Sequence, residues 1–295
     1  MIVVIIGPTG VGKTKLSVEL AKKLNAEIIN CDSMQVYKGL DIGTAKVTED
    51  EKDGVKHHLL DIVDVNDIYT VYDYQQDCRK IIDKLQKENK NIIIVGGTGL
   101  YVKAALYDYR FDKEEEKKSY KDLTNMELLE KIRNKDNTLE IHVNNRKRLE
   151  RALEKLENNG EFTKNGNIKL YDFYTIGLTT PRDNLYNIIN NRVDKMVKEG
   201  LLEEVKALYD KNIRSKAINT GIGYKELYEY FDGNITLEES LELIKKNSRK
   251  YAKRQYTFFN NQMDVTWFET NYEDFNKTIE EVYNYIKEWF YAKIF

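Results

Sequence analysis

Cysteine and proline are almost missing from this chain, with two of each among 295 residues. Cys31 and Cys78 are too few and too far apart for a disulfide framework or a thiolate zinc cluster, and they suit a reducing compartment. With only Pro8 and Pro181, no proline-rich linker divides the chain. No apolar run approaches the ~18 residues that cross a bilayer. The opening Met1–Ile6 stretch stops at Gly7 without a basic lead, so neither a membrane span nor a signal peptide is expected. Net charge is also small: 47 Lys+Arg against 49 Asp+Glu leave −2, which argues against wholesale coating of a nucleic acid. Disorder is excluded, because 41% of the residues are hydrophobic and they recur along most of the chain. The expectation is a cytoplasmic globular protein, one large domain or one domain with an insertion.

What is present is an alternation of short apolar runs and helical periods. Ile2–Ile6 and Asn91–Val95 are continuous, β-branched and ended by glycine, as buried parallel strands are. Glu27–Cys31, Leu59–Val63, Leu170–Leu178 and Val265–Phe268 read as further strands. Leu16, Leu20, Ala21 and Leu24 make Lys15–Leu24 a helix, and Cys78, Ile81, Ile82 and Leu85 do the same for Asp73–Lys87. Pro181 opens a long helix at its first turn, where proline is tolerated. Strands alternating with helices imply an α/β fold, a parallel sheet flanked by helices on both faces. Between 112 and 166 the chain turns charge-dense and helical. That segment is expected to be a helical insertion, with residues 1–111 and 167–295 forming the core.

Gly7-Pro8-Thr9-Gly10-Val11-Gly12-Lys13-Thr14 matches G-x-x-x-x-G-K-[ST] after a strand and at the start of a helix. Its backbone N–H groups would cradle phosphate oxygens, Lys13 adds a charge, and Thr14 can ligate Mg²⁺. A nucleotide-type P-loop core is therefore expected, although a phosphoryl group and a hydrocarbon beyond the diphosphate would be held alike. Ligands of open parallel sheets bind beyond the strand carboxyl ends. Asp32-Ser33-Met34-Gln35 follows one strand and Gly96-Gly97-Thr98-Gly99 another. Asp32 can accept a proton or simply hold a turn; Thr98 offers a hydroxyl or merely ends a strand. Asn91–Val95 ends in glycine, where many nucleotide hydrolases place a magnesium-binding aspartate. Of Arg182 and Arg192, one could reach the diphosphate. Adjacent His57 and His58 point apart and lack a third nitrogen ligand nearby, so a loop hydrogen-bonding role is preferred to a metal.

Two helices carry concentrated positive charge. Lys245, Lys246, Arg249, Lys250, Lys253 and Arg254 fall on about half of one circumference, and Ile244, Tyr251, Ala252, Phe258 and Phe259 on the other. Arg146, Lys147, Arg148 and Arg151 lie in the insertion. Charge runs are usually solvated faces, but two of them on a chain of net charge −2 suit a bound polyanion.

Several strings together resemble the tRNA dimethylallyltransferases (tRNA isopentenyltransferases) over nearly the whole chain. Beside the phosphate loop they are Cys31-Asp32-Ser33-Met34-Gln35-Val36-Tyr37, Asp41-Ile42-Gly43-Thr44-Ala45-Lys46, His57-His58-Leu59-Leu60-Asp61-Ile62 and Val95-Gly96-Gly97-Thr98-Gly99-Leu100-Tyr101. Arg148-Leu149-Glu150-Arg151-Ala152-Leu153-Glu154, Ile222-Gly223-Tyr224-Lys225-Glu226 and Tyr251-Ala252-Lys253-Arg254-Gln255 complete the set. The resemblance implies transfer of a dimethylallyl group from dimethylallyl diphosphate to N6 of the adenosine 3′ of the anticodon, in tRNAs reading U-initial codons. It implies Gly7 to Thr14 for the diphosphate with Mg²⁺ at Thr14, and Asp32 as general base. Thr98 would lie at the flipped adenosine and Arg192 at the diphosphate. RNA contacts are implied for Asp32, Ser33, Met34, Gln35, Thr98, Lys147, Arg148, Leu149, Glu150, Arg151, Lys253 and Arg254. The insertion would grip the anticodon stem-loop of a tRNA bound by a monomer. The chain departs from the family pattern at Val65 (usually proline), at Val143 and Asn145 in the His-Pro-Asn-Asp string, and at Ile188, where an arginine is usual.

Three other functions share parts of this pattern. A small-molecule kinase uses a phosphate loop and an aspartate base, a prenyltransferase acting on free AMP shares the chemistry, and an RNA-binding protein would need neither Asp32 nor Lys13.

Overall fold

The computed structural model describes residues 1–111, 118–158 and 166–292; the expected insertion boundary at Asp112 lies outside them. In chain order the elements are β1 (Ile2–Ile6), α1 (Lys13–Leu24), β2 (Ala26–Asn30), α2 (Glu49–Lys52), β3 (His57–His58) and α3 (Val71–Lys87). Next come β4 (Asn91–Val95), α4 (Gly99–Leu106), α5 (Asn125–Lys135), α6 (Arg146–Glu157), β5 (Phe173–Thr179) and α7 (Arg182–Lys198). The chain ends with α8 (Leu201–Asp210), α9 (Lys216–Thr220), α10 (Tyr224–Phe231), α11 (Leu237–Gln262), β6 (Thr266–Glu269) and α12 (Phe275–Ala292). The strands form one sheet in the order β3-β2-β4-β1-β5-β6, and every pairing is parallel.

β1 is central and buried on both faces, which is why it reads as an unbroken apolar run. Its alternation still sorts the two cores. Ile2, Val4 and Ile6 face Tyr74, Cys78 and Ile82 of α3 and Val102 of α4. Val3 and Ile5 face Leu16 and Leu20 of α1, Ile189 of α7 and Val282 of α12. At ~1.5–3 kcal/mol per buried aliphatic side chain, this strand alone is a large part of what holds the sheet between its helix layers. A third cluster joins α8, α9 and α10 to Val36, Tyr37 and Leu40. Val65, standing where the family usually has proline, is buried in that cluster.

Helix starts follow from local chemistry that the periodicity alone does not reveal. Thr70, Thr124 and Thr236 are N-caps whose side chains accept from the N–H three residues on, where Asp73, Glu127 and Glu239 return the bond. The expected third strand at Leu59–Val63 is displaced: the pairing strand is His57–His58. Leu59 (φ 60°) and Asp61 (φ 53°) are left-handed, which breaks any extended run through them. Asp61 instead turns back to pair with buried Lys46, 2.5 Å away.

Two compact units result, Met1–Tyr107 with Lys169–Phe295, and Asp108–Ile168. The second is built from α5 and α6 around Leu128, Ile132, Leu149 and Leu153. At the edge of the first, Leu170 N–H donates to Leu106 O at 2.9 Å, and Tyr107 bridges Lys169 in antiparallel fashion.

The ends of β2 and β4 meet closely. A β-carbon on Gly96 would lie 2.1 Å from Cys31 O and 2.3 Å from Cys31 C, both backbone atoms that cannot step aside. Gly96→Ala is therefore expected to destabilise by about 3 kcal/mol or more, read as a fall in thermal midpoint. An unchanged midpoint would mean that the strand ends are not held this tightly.

Candidate active site

The phosphate loop fills the gap between β1 and α1. Gly12 sits at φ 89°, and a β-carbon there would strike the Phe275 ring at 2.5 Å, so this position takes glycine on two counts. Behind the loop, Thr270 Oγ1 donates to Val11 O at 2.9 Å. Above it, Gln255 of α11 accepts from Thr9 N–H at 3.2 Å and donates from Nε2 to Gly97 O at 2.9 Å. One amide thus ties the two glycine turns together. Lys13 folds back so that Nζ donates to Pro8 O at 2.6 Å.

At the end of β2, Asn30 Oδ1 accepts from Asp32 N–H, and Asp32 Oδ1 accepts from Met34 N–H at 2.9 Å. Asp32 therefore holds a turn with Oδ1, and Oδ2 takes no part in that turn. Thr98 Oγ1 accepts from Ser33 N–H at 3.1 Å and lies 3.3 Å from Ser33 Oγ. Across from these, Arg192 projects from α7 and donates from Nη2 to Thr44 O at 3.3 Å, while its buried Nε has no hydrogen-bond partner.

Thr9, Gly10, Gly12, Lys13, Thr14, Asp32, Ser33, Met34, Gln35, Arg192 and Arg254 all wall one cavity of about 930 Å³. Lys13 and Arg192 are its electrostatic problem. Burial, then the nearby Arg192 guanidinium, push the Lys13 ammonium down to about 7, and only Asp32 opposes them. Burial likewise lowers Arg192, again with Asp32 as the main opposing charge. Two cations around one carboxylate, with a buried guanidinium N–H unsatisfied, form a site short of negative charge. Tyr251 borders it, its phenol raised to about 12 by burial first and then by Asp32.

The expected residues fall into three groups. Thr9 to Thr14 apart from Val11, together with Asp32 to Gln35, Arg192 and Arg254, meet at the cavity. Gly7, Pro8 and Val11 belong to the loop but face inward; Val11 is core. Thr98 is off the cavity wall and acts on the site by bracing the Ser33 turn. Arg182 is exposed and pairs with Tyr186, so Arg192 is the arginine that enters the site. Ile188, in the place of the usual arginine, presents an apolar wall against Gly10.

The cationic faces are also corrected. On α11, Lys245 is engaged by Asp194 and Glu242, and Arg249 by Asn190, because α7 packs alongside. Lys246, Lys250, Lys253 and Arg254 remain exposed. On α6, Arg146 is consumed internally by Glu150 and the Tyr120 and Leu123 carbonyls, and Leu149 is fully buried, so neither presents a side chain to a ligand. Lys147, Arg148 and Arg151 are exposed. Asn145 caps α6 by accepting from Arg148 N–H, a task that asparagine and aspartate share. His57 bonds Val55 O and His58 bonds Glu27, from strand β3 and not from the loop expected for them. No group of three or more His, Cys, Asp or Glu among the described residues is arranged to hold a metal. Gln255, Lys46 and Glu204 were not singled out by motif reasoning about chemistry, although Gln255 and Lys46 close two of the recognised strings.

Comparison with known proteins identifies the family. Residues 35–262 match the model of the IPP transferase family. The tRNA dimethylallyltransferase of Anoxybacillus flavithermus is 47% identical over 98% of this chain and 97% of its own length. The crystal structure of the tRNA isopentenylpyrophosphate transferase from Bacillus halodurans superposes with a TM-score of 0.77 at 44% identity, covering 97% of this chain and 95% of that one. A eukaryotic dimethylallyltransferase captured acting on tRNA gives a TM-score of 0.73 at 29% identity, over 90% of this chain and 73% of that one. The chain belongs to the IPP transferase family, the tRNA dimethylallyltransferases.

Proposed function

We propose that this protein transfers the dimethylallyl group of dimethylallyl diphosphate to N6 of the adenosine 3′-adjacent to the anticodon, in tRNAs that read U-initial codons. The observation that carries the reading is the cavity in which Lys13, Arg192 and Asp32 converge: two under-compensated cations for a diphosphate and one carboxylate for a proton. The N6 amine is a poor nucleophile, because its lone pair is delocalised into the ring. It must be aligned with the allylic carbon, so that the N–C bond forms as the C–O bond to diphosphate breaks. Asp32 Oδ2 takes the amine proton, and Ser33, Met34 and Thr98 fix the turn that presents it. The phosphate-loop N–H groups, Lys13 and Arg192 receive the charge that gathers on the leaving oxygen. For its N6 to reach the cavity, the adenosine leaves the anticodon stack.

Mg²⁺ fits this site in one manner. Thr14 gives a hydroxyl on the cavity wall, and with no acidic cage among the described residues the remaining ligands would be phosphate oxygens and water, as this ion prefers. When bound it supplies charge neutralisation on the diphosphate.

The RNA platform consists of Lys246, Lys250, Lys253 and Arg254 in the first unit, with Lys147, Arg148 and Arg151 of Asp108–Ile168 as the grip on the stem-loop. Among the described residues no helix is long and apolar enough to cross a membrane, and the protein acts as a cytoplasmic monomer in this reading. Lys250→Glu with Lys253→Glu is expected to weaken tRNA binding and to flatten its salt dependence, by up to about 0.9 in log–log slope for each phosphate no longer neutralised. Superimposable binding curves would show that this face is only solvated.

The reading is tested with isotope-labelled dimethylallyl diphosphate and Mg²⁺, offered unmodified tRNA in one reaction and AMP in another. Label in tRNA alone supports it. Label in AMP points to a mononucleotide prenyltransferase, and label in neither overturns prenyl transfer.

A further inference from the structure

The Asp41–Lys46 string makes no chemistry of its own, yet its carbonyls reach the cavity. Thr44 O accepts from Arg192 Nη2 and from Gln35 Nε2 at 3.1 Å, and Ala45 O accepts from Gln35 Nε2 at 3.2 Å. Gly43, Thr44 and Ala45 are all cavity wall. Ala45 holds φ 44°, a left-handed conformation that a β-carbon disfavours and that persists only where the surroundings impose it.

The residues just before it are held from α8 and α10, far along the chain, and Ala45 N–H donates back to Ile42 O at 2.9 Å. Glu204 Oε2 accepts from Asp41 N–H at 3.0 Å and Ile42 N–H at 2.7 Å, and its Oε1 accepts from Gly43 N–H at 3.0 Å. Tyr224 Oη donates to Oε1 at 2.7 Å, and its ring lies against Gly43, where a β-carbon would approach to 2.6 Å. Four donors converge on one carboxylate, two of them at 2.7 Å and all charge-assisted. Glu204 is not itself part of the cavity wall.

We infer that Glu204 is a positioning residue for the diphosphate site: by clamping the N–H groups of Asp41, Ile42 and Gly43, it sets the Thr44 carbonyl that aims the Arg192 guanidinium. The inference rests on the proposed role of Arg192 at the diphosphate. Nothing in the side chain of Glu204 touches substrate; its effect passes through two backbone carbonyls and one guanidinium. Among the described residues Arg192 has a single hydrogen bond, to a carbonyl, and an unsatisfied Nε, so a small rotation of the 43–45 loop redirects it.

Glu204→Gln tests this directly. An amide offers one acceptor oxygen and turns an NH₂ toward at least one of the converging donors, while keeping the size of the side chain. The readout is the affinity for inorganic diphosphate, by calorimetry on the full chain with Mg²⁺ present, beside affinity for unmodified tRNA. Glu204→Gln is expected to weaken diphosphate binding about tenfold, with tRNA affinity unchanged. Arg192→Lys is expected to weaken it further, and the double variant to match Arg192→Lys within about twofold, since both act on one group. Additive losses, or full diphosphate affinity in Glu204→Gln while Arg192→Lys is impaired, would overturn the positioning role and leave the active-site reading standing. Undiminished binding by Arg192→Lys would remove the arginine from the site and the inference with it. If Glu204→Gln does not fold, Tyr224→Phe removes one donor and keeps the ring packed on Gly43. It is expected to cost about two- to threefold in diphosphate affinity, and no loss would overturn the proposal.

Discussion

Asp32→Asn is expected to slow prenyl transfer by about 10²–10⁴-fold, while affinity for unmodified tRNA stays within about a factor of three. Asparagine is the informative replacement because it can keep the Oδ1 bond from Met34 N–H, so the turn after β2 survives. What is lost is the second oxygen as a proton acceptor and the negative charge between Lys13 and Arg192. That charge is the main opposition to the mutual repulsion of the two cations. The variant should therefore also bind inorganic diphosphate at least as tightly as the parent, since removing a carboxylate favours an anion. Single-turnover measurement with bound, labelled donor separates the two effects. A transfer rate within threefold of the parent would exclude Asp32 as the base.

The second large effect couples activity to stability. Lys13→Met should lower transfer by about 10²–10³-fold, the usual scale for losing one preorganised charge-stabilising group. The same substitution should raise the thermal midpoint of the ligand-free protein. The ammonium, held down to about 7 in the fold against an ordinary 10.5, is costly to bury, at about 1.4 kcal/mol per unit. The orphaned Pro8 carbonyl offsets about 1 kcal/mol of that gain. The sign with pH follows from proton counting. Below about 7 both folded and unfolded chains carry the proton and the full penalty stands. Between there and 10.5 the unfolded chain binds more protons, so parent stability rises with pH. The advantage of Lys13→Met is thus largest at pH 6–7 and shrinks toward pH 10, followed by thermal scans across that range. An advantage that stays constant or grows would show that Lys13 is not a strained cation.

Much of this site was readable before any coordinates, for physical reasons that differ by residue. β1 and β4 coincide with their apolar runs because both are buried on two faces, and the phosphate loop follows from a contiguous motif. Asp32 could be placed at the crevice because strand ends converge there in any open parallel sheet, whereas spacing left Arg182 and Arg192 undecided and only the family resemblance pointed to Arg192. Leu59–Val63 defeated strand reading because Leu59 and Asp61 are left-handed and Asp61 turns to pair with Lys46, and no hydrophobic pattern encodes that. Thr98 was expected at the adenosine from the family resemblance; what the fold adds is its bracing of the Ser33 turn, which no motif encodes. Glu204 and Gln255 were invisible as site residues because their partners lie more than 150 residues away in sequence. Two of the six cations on α11, Lys245 and Arg249, pair with α7 for the same reason: pairing is a tertiary property.

The hydrogen bond from Leu170 to Leu106 and the bridge from Lys169 to Tyr107 give the second unit a closed doorway. The chain departs at the end of α4 and returns just ahead of β5 at neighbouring points, a gap that an ordinary hairpin turn of about two to five residues can span. The Asp108–Ile168 unit has its own core, and neither β4 nor β5 depends on its length for register. In evolutionary terms it is built as an exchangeable cassette: the unit can change in length without altering how β4 and β5 pair with β1.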